Sequence, residues 1–181
     1  MKHHRMIEWA HQQLIPLISD QDTVLDMTMG HGHDTLFLAL HAKHVYAFDV
    51  QEEALASTKR LLKEHDVTNV TLIHDSHEQF HTYVTEFKGA IFNLGYLPKS
   101  DKSIKTDHLV TLRTLVKLIE RLTPGGFIQL VVYEGHPEGL LESEAIQTHL
   151  STLDSKRYAV YQTHMPYQTN KPPMIWTLIK K

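Results

Sequence analysis

The chain has 181 residues, 41% apolar and 22% charged, with a formal net charge of −3 and no cysteine. Such a balance belongs to a folded globular protein, not a disordered one, and its length suits one domain over residues 1–181. No run approaches the roughly 18 apolar residues of a membrane helix, the start at Met1-Lys2-His3-His4-Arg5 leads into no signal-peptide core, and disulfides, thiolate metal sites and a thiol nucleophile are excluded. The expected location is cytoplasmic.

In chain order, an opening helix is expected over Arg5–Ser19, with Pro16 disturbing its last turn. Runs rich in β-branched and aromatic residues then predict strands at Thr23–Asp26, His44–Asp49, Val70–His74, Gly89–Asn93 and Phe127–Tyr133. Amphipathic segments separate them. The clearest, Leu109, Leu112, Leu115, Val116, Ile119 and Leu122, recurs at helical spacing and stops at Thr123-Pro124-Gly125-Gly126. Five strand–helix units imply an α/β fold: a mostly parallel sheet with helices on both faces. Tyr158–His164 and Met174–Lys180 break the rhythm. Joined by a loop with Pro166, Pro172 and Pro173, they suit an antiparallel pair.

Charge is unevenly spread. Residues 99–121 hold six basic side chains against three acidic, and residues 155–181 hold five against none. These segments are the expected phosphate-docking surface, should the partner be nucleic acid; the plainer alternative is that they solvate helix faces. The 15 histidines make the surface pH-sensitive just below neutrality.

The most informative segment is Val24-Leu25-Asp26-Met27-Thr28-Met29-Gly30-His31-Gly32-His33-Asp34-Thr35. An apolar strand runs into a turn with two glycines and then a helix, the place where open α/β sheets bind nucleotides. A tight strand–helix turn is the structural alternative, with Asp34 as a helix cap. The next strand ends at Asp49, suited to both hydroxyls of a ribose. The third ends at Asp75, suited to an adenine amine. Desolvated acids at three successive strand ends are costly in a purely structural sheet. A dinucleotide would want G-x-G-x-x-G and little negative charge, whereas Thr35 takes the third glycine position and Asp26 and Asp34 flank the turn. A ligand with adenine, ribose, a cationic centre and no phosphate fits better, and S-adenosyl-L-methionine is such a ligand.

These features resemble the Rossmann-like class I S-adenosylmethionine-dependent methyltransferases, whose first-strand motif D-x-G-x-G-x-G appears here as Asp26-Met27-Thr28-Met29-Gly30-His31-Gly32, with Thr28 replacing the first glycine. The resemblance implies a seven-stranded sheet with an antiparallel last strand. Within the class, the sequence is similar to the rRNA methylase-type family that includes the bacterial tRNA 5-aminomethyluridine methyltransferases (the MnmM family). The pieces that carry this are Thr28–Thr35, Phe48-Asp49-Val50-Gln51, Asp75-Ser76-His77, Phe92-Asn93-Leu94-Gly95-Tyr96-Leu97-Pro98, Asp101-Lys102-Ser103-Ile104, Tyr133-Glu134-Gly135-His136-Pro137-Glu138-Gly139 and Asn170-Lys171-Pro172-Pro173. The resemblance implies methylation of the aminomethyl group of 5-aminomethyl-(2-thio)uridine at the tRNA wobble position. It implies cofactor contacts at Asp26, Thr28, Gly30, His31, Gly32, His33, Asp34, Asp49, Gln51, Asp75, Ser76 and His77. The partner implied is a tRNA anticodon stem-loop, with no membrane; a homodimer is left open.

Amine methylation needs a neutral nucleophile held in line with the methyl group. Asn93, at the fourth strand end, is the expected acceptor for the amine N–H groups. Tyr96 is expected to stack on the base, and His136 to assist proton removal. Asn93 as a strand-end cap and Tyr96 as a core residue are the structural alternatives. Three alternatives remain: a methyltransferase using the same donor on another RNA or a small molecule, a metal-dependent hydrolase built on His31, His33, Asp34, His74 and His77, and a non-catalytic nucleotide-binding module.

Overall fold

In the computed structural model, which describes residues 4–95, 108–135, 137–168 and 171–181, the first strand β1 (Thr23–Asp26) lies inside a seven-stranded sheet, next to its central strand. The others are β2 (His44–Asp49), β3 (Val70–His74), β4 (Gly89–Leu94), β5 (Phe127–Val132), β6 (Tyr158–Thr163) and β7 (Met174–Lys180). Their order is β3-β2-β1-β4-β5-β7-β6. Only β7 runs against its neighbours, pairing antiparallel with both β5 and β6. The expected strands are therefore present to within a residue, and so is the antiparallel closing pair. From β1 the chain winds outward through β2 and β3, then returns to place β4 on the other side of β1. The crevice where the strand order reverses thus opens above the carboxyl ends of β1 and β4.

Alternation along the strands feeds two cores. On one face, Ala90, Phe92, Ile128, Leu130 and Val132 pack with Leu115, Leu118 and Leu122 of helix α4 (His108–Arg121) and with Ile146 and Leu150 of α5 (Pro137–Ser151). On the other, Val24, Val45, Ala47, Ile91 and Phe127 pack with α1 (His4–Leu14), α2 (His33–Ala39) and α3 (Glu52–Glu64). The period of two in the strands and near four in the helices makes both layers from one sheet. No helix among the described residues is long and apolar enough to cross a membrane.

Two expected helices differ. The opening helix ends at Leu14 and continues as a 3₁₀ turn, Ile15–Leu17, with Pro16 inside it. Proline removes an N–H donor and disfavours helix at the preceding residue, so the α-helix stops earlier than Ser19. After β3 the connection is a 3₁₀ helix, His77–Thr82, capped by Ser76, whose hydroxyl accepts from the Glu78 N–H.

α1 is locked onto the sheet by three buried residues at four-residue spacing, Met6, Ala10 and Leu14. The buried Gln129 amide of β5 donates to the Ala10 carbonyl at 3.1 Å. Its rotation is thereby fixed, and that fixes where His11 points.

Candidate active site

The turn between β1 and α2 takes its shape from glycine. Gly30 and Gly32 have φ of 49° and 87°, in the left-handed region where a side chain strains the backbone. A Cβ at Gly32 would also lie 2.8 Å from Thr58 Oγ1 of α3. α3 supports the turn in return: the hydroxyls of Thr58 and Ser57 donate to the Gly30 carbonyl at 3.2 and 3.3 Å.

Three carboxylates surround it. Asp49, at the end of β2, accepts the Gly30 N–H on Oδ2 and the Gln51 N–H on Oδ1, both at 3.0 Å. Each carboxylate oxygen can take two hydrogen bonds, so Asp49 is pinned and each oxygen keeps a lone pair for a pair of hydroxyls. Burial pushes its pKa up, partly offset by these N–H bonds. Asp26 is fully buried. The Thr35 hydroxyl donates to its Oδ2 at 2.6 Å and the Thr28 N–H to its Oδ1 at 3.1 Å. Burial, followed by the Asp34 charge, pushes the Asp26 pKa up to about 7; the Thr35 and Thr28 bonds oppose this, and Asp49 adds a smaller push in the same direction. Ionising Asp26 therefore leaves an excess of negative charge that a cation would relieve.

Asp34 is not a helix cap. Gly32 occupies the N-cap position of α2, with no side-chain cap bond. The Asp34 carboxylate instead accepts His11 Nε2 on Oδ1 at 2.7 Å and Asn93 Nδ2 on Oδ2 at 2.8 Å. Thr28, where the class motif has glycine, has a local job: its hydroxyl accepts the Asn93 N–H at 2.7 Å, tying the β1 turn to the end of β4.

Asp75 lies farther along the crevice, accepting the Ser76 N–H at 2.7 Å and the Tyr83 hydroxyl at 2.8 Å. His77 is turned into the protein. Its Nδ1 bonds Thr114 Oγ1 of α4 at 2.9 Å, its ring stands edge-on to Phe92 with centroids 5.5 Å apart, and burial pushes its pKa down to about 4. A neutral, core-facing imidazole is the result. His31 and His33 are exposed, and His74 bonds the Val50 carbonyl at 2.9 Å. Among the described residues no three His, Asp or Glu side chains gather as a metal site, so the hydrolase alternative has no cluster there to rest on.

The structure therefore brings together Asp26, Thr28, Gly30, Gly32, Asp34, Asp49, Gln51 and Asn93. Tyr96, His136 and Asn170 lie outside the described residues, as do Lys99, Lys102 and Lys105. Four site neighbours are not among the expected site residues: Thr35 and Tyr133, which stand at the ends of family-like pieces, and His11 and Tyr83, which stand in none. Tyr133 follows β5, its ring 3.2 Å from where a Gly95 Cβ would stand. Burial and the Asp34 charge push its pKa up to about 12, so it remains a phenol.

The structure divides the described part of the expected docking surface. Arg113 pairs with Glu78 at 2.7 Å, Lys117 lies 3.6 Å from the same carboxylate, and Arg121 lies over the Phe80 ring. Lys156, Arg157, Lys180 and Lys181 sit at the opposite end of the sheet from the crevice. β7 is antiparallel, so its last residues meet the amino end of β5, with Ile179 opposite Phe127 and Tyr158 opposite Lys180.

Residues 45–179 match the family described as Putative rRNA methylase. The chain is 38% identical over 161 residues to the chloroplastic tRNA (mnm(5)s(2)U34)-methyltransferase of Arabidopsis thaliana, a match covering 81% of this chain and 59% of that protein. It thus spans about three-fifths of this curated relative's length. Among solved structures it superposes with a TM-score of 0.91 and 35% identity on the putative rRNA-methylase of Clostridium thermocellum, covering 97% of both chains. It superposes with a TM-score of 0.90 and 40% identity on SMU.1697c, a putative methyltransferase of Streptococcus mutans in complex with SAH, again over 97% of both. With the strand order, the glycine turn and matches over most of its length in agreement, the chain belongs to the Putative rRNA methylase family and has the class I methyltransferase fold.

Proposed function

We propose that the chain is an S-adenosyl-L-methionine-dependent methyltransferase acting on the aminomethyl group of 5-aminomethyl-(2-thio)uridine at the tRNA wobble position, with the anticodon stem-loop as its partner. The observation that carries this reading is the meeting of Asp49, the Gly30–Gly32 turn and Asn93 at one crevice. The wobble-uridine activity named for the Arabidopsis relative supports the substrate, and SAH in the Streptococcus mutans structure supports the donor.

The residues present fit such a donor. Asp49 would hold the ribose hydroxyls and Asp75 the adenine amine, while Asp26 and Asp34 supply negative charge for the amino and sulfonium groups. The donor supplies an electrophilic methyl: the amine lone pair forms the new N–C bond, the C–S electrons stay on sulfur as a neutral thioether, and the resulting ammonium can lose a proton to water.

The chain's own task is to present the amine. A free alkyl amine has a pKa of about 10 and arrives mostly protonated, so the site must favour the neutral form. Asn93 donates its Nδ2 to Asp34, which turns Oδ1, the acceptor end, to the other side of the amide. In this reading Oδ1 receives an amine N–H and leaves the lone pair aimed at the methyl carbon. Tyr96 is assigned to stack on the uracil and His136 to assist proton removal.

Nucleoside mass spectrometry on an anticodon stem-loop carrying 5-aminomethyl-2-thiouridine, incubated with protein and donor, tests the proposal. One added methyl on the aminomethyl nitrogen is expected. An unmodified nucleoside, or methyl on another atom, overturns it.

A further inference from the structure

We infer that His11 of α1 is a positioning residue for the transfer: by holding Asp34, it decides which end of the Asn93 amide faces the substrate. The inference rests on the proposed role of Asn93 in presenting the amine.

The geometry is a three-residue chain reaching across the fold. His11 and Asp34 are 23 positions apart, and Asp34 and Asn93 are 59 apart. Asp34 sits between them, one oxygen to each, at 2.7 and 2.8 Å. An ionised carboxylate has only acceptors, so both partners must offer donors. Asn93 is thereby forced to present its NH₂ to Asp34. His11 must carry its hydrogen on Nε2 in either charge state. Were Asp34 free to rotate, the amide could flip and offer NH₂ to an amine that needs an acceptor.

His11 is well placed to prevent that rotation. Its ring stacks on Phe37 with centroids 3.9 Å apart and planes 1° from parallel, and its side chain is only 20% exposed. Its helix is fixed by the buried Ala10 next to it and by the Gln129 bond to the Ala10 carbonyl. The residue lies before the stretch matched by the family, residues 45–179, and Asp34 does as well.

The test compares wild type, His11→Ala and His11→Gln. Glutamine places an amide nitrogen as many bonds from Cα as His Nε2, so it can donate to Asp34 yet cannot titrate. With the aminomethyl stem-loop, His11→Ala is expected to lose about ten- to hundredfold in kcat, with donor Kd and stem-loop KM unchanged. His11→Gln is expected to recover most of the rate and keep the wild-type pH–rate profile. Wild-type kcat in His11→Ala overturns the proposal. So does a loss confined to Kd or KM. A His11→Gln variant as slow as His11→Ala, or one missing a limb of the pH profile, makes His11 a proton carrier and also overturns it. If His11→Ala does not fold, His11→Phe, which keeps a ring against Phe37 but has no donor for Asp34, takes its place on the same criteria.

A second readout needs no substrate. The Asn93 side-chain NH₂ resonances should move to solvent-exposed positions in His11→Ala and return in His11→Gln; unmoved signals overturn the inference. An inactive wild type with these shifts intact would instead locate the failure in the assigned substrate.

Discussion

The two ends of the sheet are built in opposite ways. At the carboxyl ends of β1 and β2 the chain buries acid on acid: Asp26 and Asp49 both have raised pKa values, and Asp34 raises Asp26 further. At the amino end of β5, bases are satisfied by backbone. Lys180 Nζ donates to the Leu122 carbonyl and Lys181 Nζ to the Ser155 carbonyl. One end is left electrostatically incomplete, which is how a site for a cationic ligand looks before the ligand arrives. The other end is closed. Counting charges along the chain cannot separate the two, because an antiparallel final strand carries its terminal lysines away from the crevice.

The contrast can be broken most sharply at Asn93. Asn93→Ala is expected to lower kcat by about a hundredfold while donor binding, followed by calorimetry, is retained; lost binding with unchanged turnover would move Asn93 from the acceptor side to the donor side. Asp49→Ala comes next. Losing hydrogen bonds to a charged group costs about 1.5–3 kcal/mol, so donor Kd should weaken by about ten- to hundredfold in the same titration.

Asp26 sharpens the comparison through pH. Its folded pKa of about 7 exceeds the unfolded 3.8, so the stability linked to its proton is fully present below the unfolded value and is lost as pH rises through about 7. Asp26→Asn should therefore gain stability relative to wild type at pH about 8 and much less at about 5, read as the difference in Tm. Wild-type donor affinity should fall as pH drops below about 7, and that dependence should flatten in the variant. The smallest effect is expected at the other end: Lys180→Ala with Lys181→Ala should leave stem-loop KM within about twofold, whereas lysines in phosphate contact would weaken it and reduce its salt dependence.

Much of this is legible in the sequence, for physical reasons. β1, β2 and β3 announce themselves because each is a short β-branched and aromatic run ending in or beside an acid, and β7 because prolines delimit it. Pro16 signalled a disturbed helix end but not that the α-helix would stop at Leu14. The 3₁₀ helix is not legible because His77–Thr82 has only two buried residues, His77 and Phe80, and too little periodicity to reveal its pitch. His77 itself sits in a motif, and nothing local says that Thr114 draws its ring inward. His11 is the opposite case. It has no motif, and its meeting with Asp34 exists only once α1 docks on β5 and β7 and α2 docks on α3.

In the proposed reading, this crevice grips an adenosine-borne sulfonium through its carboxylates and sets the methyl beside Asn93. A crystal structure of the protein with S-adenosyl-L-methionine and the aminomethyl stem-loop tests it most directly. The ribose hydroxyls are expected on Asp49, and the aminomethyl nitrogen within hydrogen-bond reach of Asn93 Oδ1. A donor seated away from Asp49, or an amine held by other groups while Asn93 keeps facing Asp34, would contradict it.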